Sequence, residues 1–342
     1  MQTRTRWLGA IGLTAVAVVT LGIIGFSSLT QNPVSKNASS TQGIHPAQAA
    51  PYLVHERFRL HDGDGVVYTP NAKNYAARTG TTGPLLLFLP ATRERPSNYT
   101  DFLAAARARG FHVLALDYWN NGKSVQKTCG TNPTCYTDVQ RNRLDGTHPT
   151  PFSSVDYENS IVDRLSDAID HLKSRDPDGG WGRFVGAHGI DWRDIVVAGH
   201  SQGGGESAYI AHIHHVLGVL MFSSPVDSDN GVDASWMAHS GATPISRMYG
   251  FDDTGDVFSA RIQASWNAMG LGTYGAPVNV ANGIPAGAHV LISSAPLGTP
   301  IQAHSLDITD ETPRLADGQP MFESVWKWML TRVWSSTPIE IS

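Results

Sequence analysis

Gly199-His200-Ser201-Gln202-Gly203 is the stretch of this 342-residue chain whose residue types and spacing point most directly to chemistry. An apolar, partly β-branched run, Ile195 to Ala198, ends abruptly in it, and a helix-friendly run, Glu206 to Val216, follows. A strand that reverses into a helix over so few residues forces the serine into a strained backbone conformation, and glycine neighbours leave it room. Ser201 is then presented at the C-terminal edge of a sheet, with the backbone N–H of Gln202 beside it at a helix N-terminus. A serine hydroxyl is a weak nucleophile, so it needs a base to take its proton and an acid to orient that base. The chemistry in prospect is attack on a carbonyl carbon.

The surrounding pattern supplies elements to position these groups. Tyr52 to Tyr68 reads as two short strands about His61-Asp62-Gly63-Asp64-Gly65, since Asp-Gly pairs favour tight hairpins. Pro84 to Leu89 is a continuous apolar run, expected of a strand buried on both faces. Asp101 to Arg109 follows as a helix stopped by Gly110, and Phe111 to Leu116 as the next strand, a succession that implies a parallel crossover. Residues 118–151 lack periodicity and are read as a loop insertion beside the active-site mouth. Asp156 to Ser174 is an amphipathic helix with Tyr157, Ile161, Leu165, Ile169 and Leu172 on one stripe. Val216 to Ser223, Ile245 to Phe251 and His289 to Ser294 read as further strands, and Phe258 to Met269 and Met321 to Val333 as helices. One domain over 51–342, a mostly parallel, doubly wound central sheet with helices on both faces, accounts for them.

With this context, Gly199-His200-Ser201-Gln202-Gly203 resembles the nucleophile elbow of the α/β-hydrolase superfamily, of the serine esterase and lipase type. That resemblance implies the order nucleophile, acid, base along the chain, each just after a strand. His188 and His289 precede strands and so fall at the wrong edge, while His212, His214 and His215 read as a polar helix face. His200 is inside the elbow and His239 comes too early. His304, in the loop Pro296 to Pro313 between the last strand and the last helix, holds the place where the superfamily carries its general base. For the acid, Tyr249-Gly250-Phe251-Asp252-Asp253-Thr254-Gly255-Asp256 resembles the Gly-x-x-Asp turn, pointing to Asp253, with Asp256 fitting a longer loop. Asp252 and the earlier Asp227 stay as alternatives, and Asp227 with Asp229 and Asp233 is read as a solvated loop. The oxyanion hole takes the Gln202 amide and one from Pro90-Ala91-Thr92; proline has no N–H, so Ala91 or Thr92 supplies it, with Thr92 favoured. This segment departs from the superfamily's usual His-Gly. Asp117 to Ser124 is similar to the Asp-x-x-Gly-x-Gly-x-Ser loop of many members, with Asn120 in place of the first glycine.

Composition sets the remaining bounds. The chain is 41% hydrophobic and carries a formal net charge of −5, so it can bury a full core and offers no basic surface for nucleic acid. Arg4 and Arg6 precede an uncharged, mostly apolar run from Trp7 to Leu29. Residues 1–29 are therefore read as an export signal or membrane anchor and 30–50 as a linker, giving a secreted or extracytoplasmic protein, membrane-attached if the segment is retained. Cys129 and Cys135 are the only cysteines, and their close spacing in an exported chain suggests a disulfide rather than a metal site. No metal or organic cofactor is implied. The expected activity is hydrolysis of a small-molecule or lipid carboxylic ester through an acyl-enzyme on Ser201. Acyl transfer to an alcohol on the same fold and a non-catalytic binding protein on a hydrolase scaffold are the competing readings.

Overall fold

Leu85–Leu89 forms strand β2, and all five residues are fully buried. The computed structural model describes residues 58–60 and 72–334, all within one compact unit, Ala49–Ser342. The N-terminal segments, and the predicted Tyr52–Tyr68 hairpin apart from residues 58–60, lie outside the described residues. An edge strand, β1 (Tyr75–Ala77), precedes β2, and helix α1 (Thr100–Ala108) leads to β3 (His112–Ala115). Two helices follow, α2 (Val125–Cys129) and α3 (Pro133–Asp145), then α4 (Ile161–Arg175) and a small hairpin of β4 (Val185–Gly186) and β5 (Gly189–Ile190). Strand β6 (Ile195–His200), helix α5 (Gln202–Ile213) and strand β7 (Gly218–Phe222) form the centre. After a second small hairpin, β8 (Ser228–Asp229) and β9 (Val232–Asp233), come β10 (Met248–Asp253), α6 (Ser259–Ala268), β11 (Val278–Asn279), β12 (Val290–Ser293), α7 (Pro300–Leu306) and α8 (Glu323–Val333).

Eight strands make one sheet in the order β1-β3-β2-β6-β7-β10-β12-β11, and every neighbouring pair is parallel except the antiparallel edge pair β1–β3. Successive residues of a strand face opposite sides, so the apolar run of β2 feeds two cores. Leu85, Leu87 and Leu89 pack with Leu165 and Ile169 of α4, Ile210 of α5 and Trp266 of α6. Leu86 and Phe88 pack on the other side with Phe102 of α1 and Trp326 and Met329 of α8. The sheet is therefore doubly wound, with helices on both faces, as predicted. In α4, Ile161, Leu165, Ile169 and Leu172 are all buried; such side chains each stabilise a fold by about 1.5–3 kcal/mol.

Two predicted elements are corrected. The helix expected from Asp156 begins later, because the Ser160 side chain accepts the Asp163 amide (3.2 Å) as an N-cap. Tyr157 falls in a preceding 3-10 turn and is exposed instead of joining the apolar stripe. The region 118–151, expected as a loop, contains α2 and α3, joined by a Cys129–Cys135 disulfide. Helix α3 escapes an apolar-periodicity reading because its buried face includes Gln140, Asn142 and Arg143. Each finds at least one polar partner. Gln140 Nε2 donates to Asp227 (2.7 Å), Asn142 Nδ2 to the Val155 carbonyl (3.0 Å), and Arg143 to Glu206 of α5 (3.0 Å).

Candidate active site

Ser201 stands between β6 and α5 with φ 52° and ψ −117°, a conformation that L-residues avoid. The glycines around it are required by close approach. A Cβ on Gly199 would lie 2.3 Å from the Gly203 carbonyl carbon, and one on Gly203 would lie 1.9 Å from the Leu89 carbonyl oxygen. The strand and helix thus pack backbone to backbone, and the turn lifts the serine to the C-terminal edge of the sheet. Ser201 is the N-cap of α5 and Gln202 its first residue, so the Gln202 amide precedes any intrahelical acceptor.

His304 reaches Ser201 from the far end of the chain. Its Nε2 lies 2.8 Å from Ser201 Oγ, and its Nδ1 lies 2.7 Å from Asp256 Oδ2. The segment expected as an irregular loop holds the short helix α7, and His304 sits in its last turn. Gln302 Oε1 ties down the start of that helix by accepting from both the Thr299 amide (2.9 Å) and hydroxyl (2.8 Å). The Phe258 ring meets the imidazole edge-on at 4.9 Å.

Of the predicted acids, Asp256 is the one brought to His304. Strand β10 continues two residues beyond its predicted end at Phe251, so Asp252 and Asp253 belong to the strand and Asp256 to the turn beyond it. Asp253 turns back to accept the Gly255 amide (2.8 Å). Asp256 uses its other oxygen to accept the Phe258 amide (2.7 Å). Burial works against ionisation of Asp256, but the hydrogen bond and charge of His304 outweigh it and hold the carboxyl below its usual value. Asp252 is pushed the opposite way, by burial and then by the negative charge of Asp256. Asp227 is neither at His304 nor in a solvated loop: it is buried against Gln140, and burial raises its pKa to about 6.

The loop after β2 is braced from several sides. Thr92 Oγ1 donates to Gln202 Oε1 (3.0 Å), linking it to the elbow. Asn120, which replaces a glycine of the pattern noted above, has a buried side chain donating to the carbonyls of Ala91 (2.6 Å) and Glu94 (3.0 Å). The Ala91 amide donates to the Tyr99 hydroxyl (3.1 Å), which leaves the Thr92 amide as the other candidate donor of the Pro90-Ala91-Thr92 segment.

Tyr99 belongs to a relay that sequence reasoning missed. Its hydroxyl lies 2.9 Å from His200 Nδ1, and His200 Nε2 lies 2.7 Å from the His304 carbonyl oxygen. A carbonyl only accepts, so His200 Nε2 carries the proton, Nδ1 accepts, and the Tyr99 O–H donates to it. Burial, followed by the nearby His304, lowers the His200 pKa to about 3. The relay therefore connects the post-β2 loop to the backbone of His304. An elbow histidine is expected to turn its side chain away from the site, so no sign of the bond from His200 to the His304 carbonyl appears in the sequence, and nothing around Tyr99 marks it either.

Other histidines go elsewhere. His188 is exposed in the turn of the first small hairpin, His214 stacks on Trp192, and His215 bonds the Ala242 carbonyl. Among the described residues, no three His, Cys, Asp or Glu side chains gather as a metal-binding group, and no helix is long and apolar enough to cross a membrane.

Sheet order, the strand–helix turn at Ser201, and the later strand ends leading to Asp256 and His304 make this an α/β-hydrolase fold. No known family matches the chain by sequence, and no curated protein matches it. Solved structures that it resembles include carboxyl esterase 2 of the mycorrhizal fungus Tuber melanosporum, at 12% identity over 84% of this chain and 89% of that one, with a TM-score of 0.40. A Pyrococcus furiosus esterase resembles it at 12% identity over 77% and 87%, TM-score 0.39, and a hormone-sensitive lipase from a metagenome library at 11% over 77% and 84%, TM-score 0.38.

Proposed function

We propose that the chain is a serine hydrolase of carboxylic esters that works through an acyl-enzyme on Ser201. The observation that carries this reading is the continuous hydrogen-bonded series Ser201 Oγ, His304, Asp256, at 2.8 and 2.7 Å, built on a strained serine beside a helix N-terminus. As Ser201 Oγ bonds to the ester carbonyl carbon, its proton passes to His304 Nε2. Asp256 keeps the Nδ1 proton in place and stabilises the imidazolium. The amides of Gln202 and Thr92 face the negative charge that develops on the carbonyl oxygen. Collapse breaks the C–O bond, His304 gives its proton to the departing alcohol, and water repeats the sequence to free the acid and regenerate Ser201. A cleft of ≈720 Å³ lined by Thr92, Ser201, Phe258, Ile301 and His304 offers room for a small ester.

Residues 51–342 form the catalytic domain in this reading, and residues 1–29 deliver it outside the cytoplasm. The cationic flank and apolar run of the N-terminus support that location. A fluorophosphonate probe together with a p-nitrophenyl ester series tests the activity: labelling and turnover by wild type, with both lost in Ser201→Ala and turnover lost in His304→Ala, are expected. A wild type inert to both overturns the reading. Cell fractionation tests the location.

A further inference from the structure

The charges at the mouth of the cleft run against those of the chain. The sequence has 25 Lys and Arg against 30 Asp and Glu, yet among the described residues the charged side chains lining the outer cleft are Arg93, Lys123 and Lys127, with Glu94 as the sole carboxylate. Glu94 is partly buried and receives a hydrogen bond from Asn98, and burial raises its pKa. All three cations are exposed, and among the described residues none is ion-paired.

Arg93 occupies a costly conformation. Its φ of 65° puts a bulky residue in the left-handed region, and it shares with Ser201 the distinction of being a positive-φ, non-glycine residue lining this cleft. The conformation is held at two points. The Arg93 amide donates to the Asn120 carbonyl (2.9 Å), and Nε donates to the Gly122 carbonyl (3.0 Å). With Nε engaged, the two terminal nitrogens make an end-on fork of the kind that grips a carboxylate. Lys123, just before α2, and Lys127, within it, line the same space, and the far end of the helix is fixed to α3 by the Cys129–Cys135 disulfide. An exposed cation is ordinarily a solvated one. These three share the rim of one cleft, one of them held in a strained backbone next to Thr92.

We propose that the ester taken by this cleft is anionic, carrying a carboxylate in its acyl or alcohol part that Arg93, Lys123 and Lys127 bind while Ser201 attacks the ester carbon. The ester bond in this proposal rests on the hydrolase reading above; the anion site can be examined separately. The full chain is assayed with two matched pairs, mono-p-nitrophenyl adipate against p-nitrophenyl hexanoate, and 4-butyryloxybenzoate against its methyl ester. For at least one pair, kcat/KM for the anionic member exceeds that for the neutral one by about tenfold at low salt, chiefly through KM, and the preference shrinks as salt screens the rim. In Lys123→Gln/Lys127→Gln and in Arg93→Gln the anionic-to-neutral ratio falls toward one. A wild-type ratio at or below one for both pairs, or a ratio unmoved in both variants, overturns the proposal while leaving the hydrolase reading intact. Calorimetric titration with adipate reads the rim without turnover: wild-type binding that weakens several-fold in the variants is expected, and no binding counts against the anion site. If neither member of either pair is turned over, the fluorophosphonate probe and ester series above decide the hydrolase reading, and adipate binding alone decides the site.

Discussion

Protonation of His200 is predicted to cost this protein a large part of its stability in mild acid. The imidazole is buried, donates from Nε2 to the His304 carbonyl, and accepts at Nδ1 from Tyr99, whose oxygen already accepts the Ala91 amide. A second ring proton would face the Tyr99 hydroxyl, forcing that group to turn its own hydrogen away from the ring and give up this bond. The folded-state pKa of about 3 stands against about 6.5 in the unfolded chain. The folded value is depressed for a base, so below pH 6.5 the unfolded state binds more protons and stability falls as pH falls, until the folded pKa is passed. Between pH 7 and pH 5 the loss from this one group is about 2 kcal/mol, at ~1.4 kcal/mol per unit once well below 6.5. Urea unfolding of wild type and His200→Gln at pH 7, 6, 5 and 4 measures it. The variant starts less stable by about 1–3 kcal/mol because buried hydrogen bonds are lost, and the two stability curves converge as pH drops. Parallel curves would refute the reasoning, since they would mean that His200 titrates alike in both states.

Three further outcomes follow from the geometry. Asp256→Asn should lower kcat by about 10⁴, because an amide in that place favours the wrong imidazole tautomer, whereas Asp253→Asn should stay within about tenfold of wild type; steady-state ester kinetics compare them. Gly203→Ala should destabilise the fold by about 3 kcal/mol or more, since the new methyl meets the Leu89 carbonyl; a melting temperature near wild type would count against this. Arg143→Met should cost about 3–5 kcal/mol by stranding Glu206, itself raised to about 7 by burial, and Arg143→Met/Glu206→Met should recover most of it; denaturant titration of both variants decides.

Much of the sheet is legible in the sequence because strands buried on both faces read as continuous apolar runs. β2 takes all but the leading proline of the Pro84–Leu89 run, and β7 and β12 lie within their predicted runs. The elbow is legible because close backbone packing admits only glycine at Gly199 and Gly203. What failed depended on tertiary partners. Helix α3 buries amides and a guanidinium whose partners are far along the chain, so no local periodicity marks it. Asp227 looks like part of a polar loop until Gln140 arrives from α3 to satisfy it. The choice between Asp253 and Asp256 depended on where β10 ends, and strand ends are set by pairing with neighbours rather than by local residue type. The edge strands β1 and β11 are too short to declare themselves.

The two ends of the Ser201–His304 hydrogen bond have very different mechanical footing. Ser201 grows out of β6, with three strands on one side and four on the other, whereas His304 rides on a seven-residue helix outside the sheet, packed against β10. Short peripheral segments open locally at far lower free energy than central strands. Warming should therefore unseat α7 while the sheet is still intact, silencing the protein reversibly well before it melts. Amides of β6 would then be among the last to exchange with deuterium and those of α7 among the first. The temperature ceiling of the molecule would be fixed by that small helix and its tether to His200, so gains in working range lie there rather than in the core.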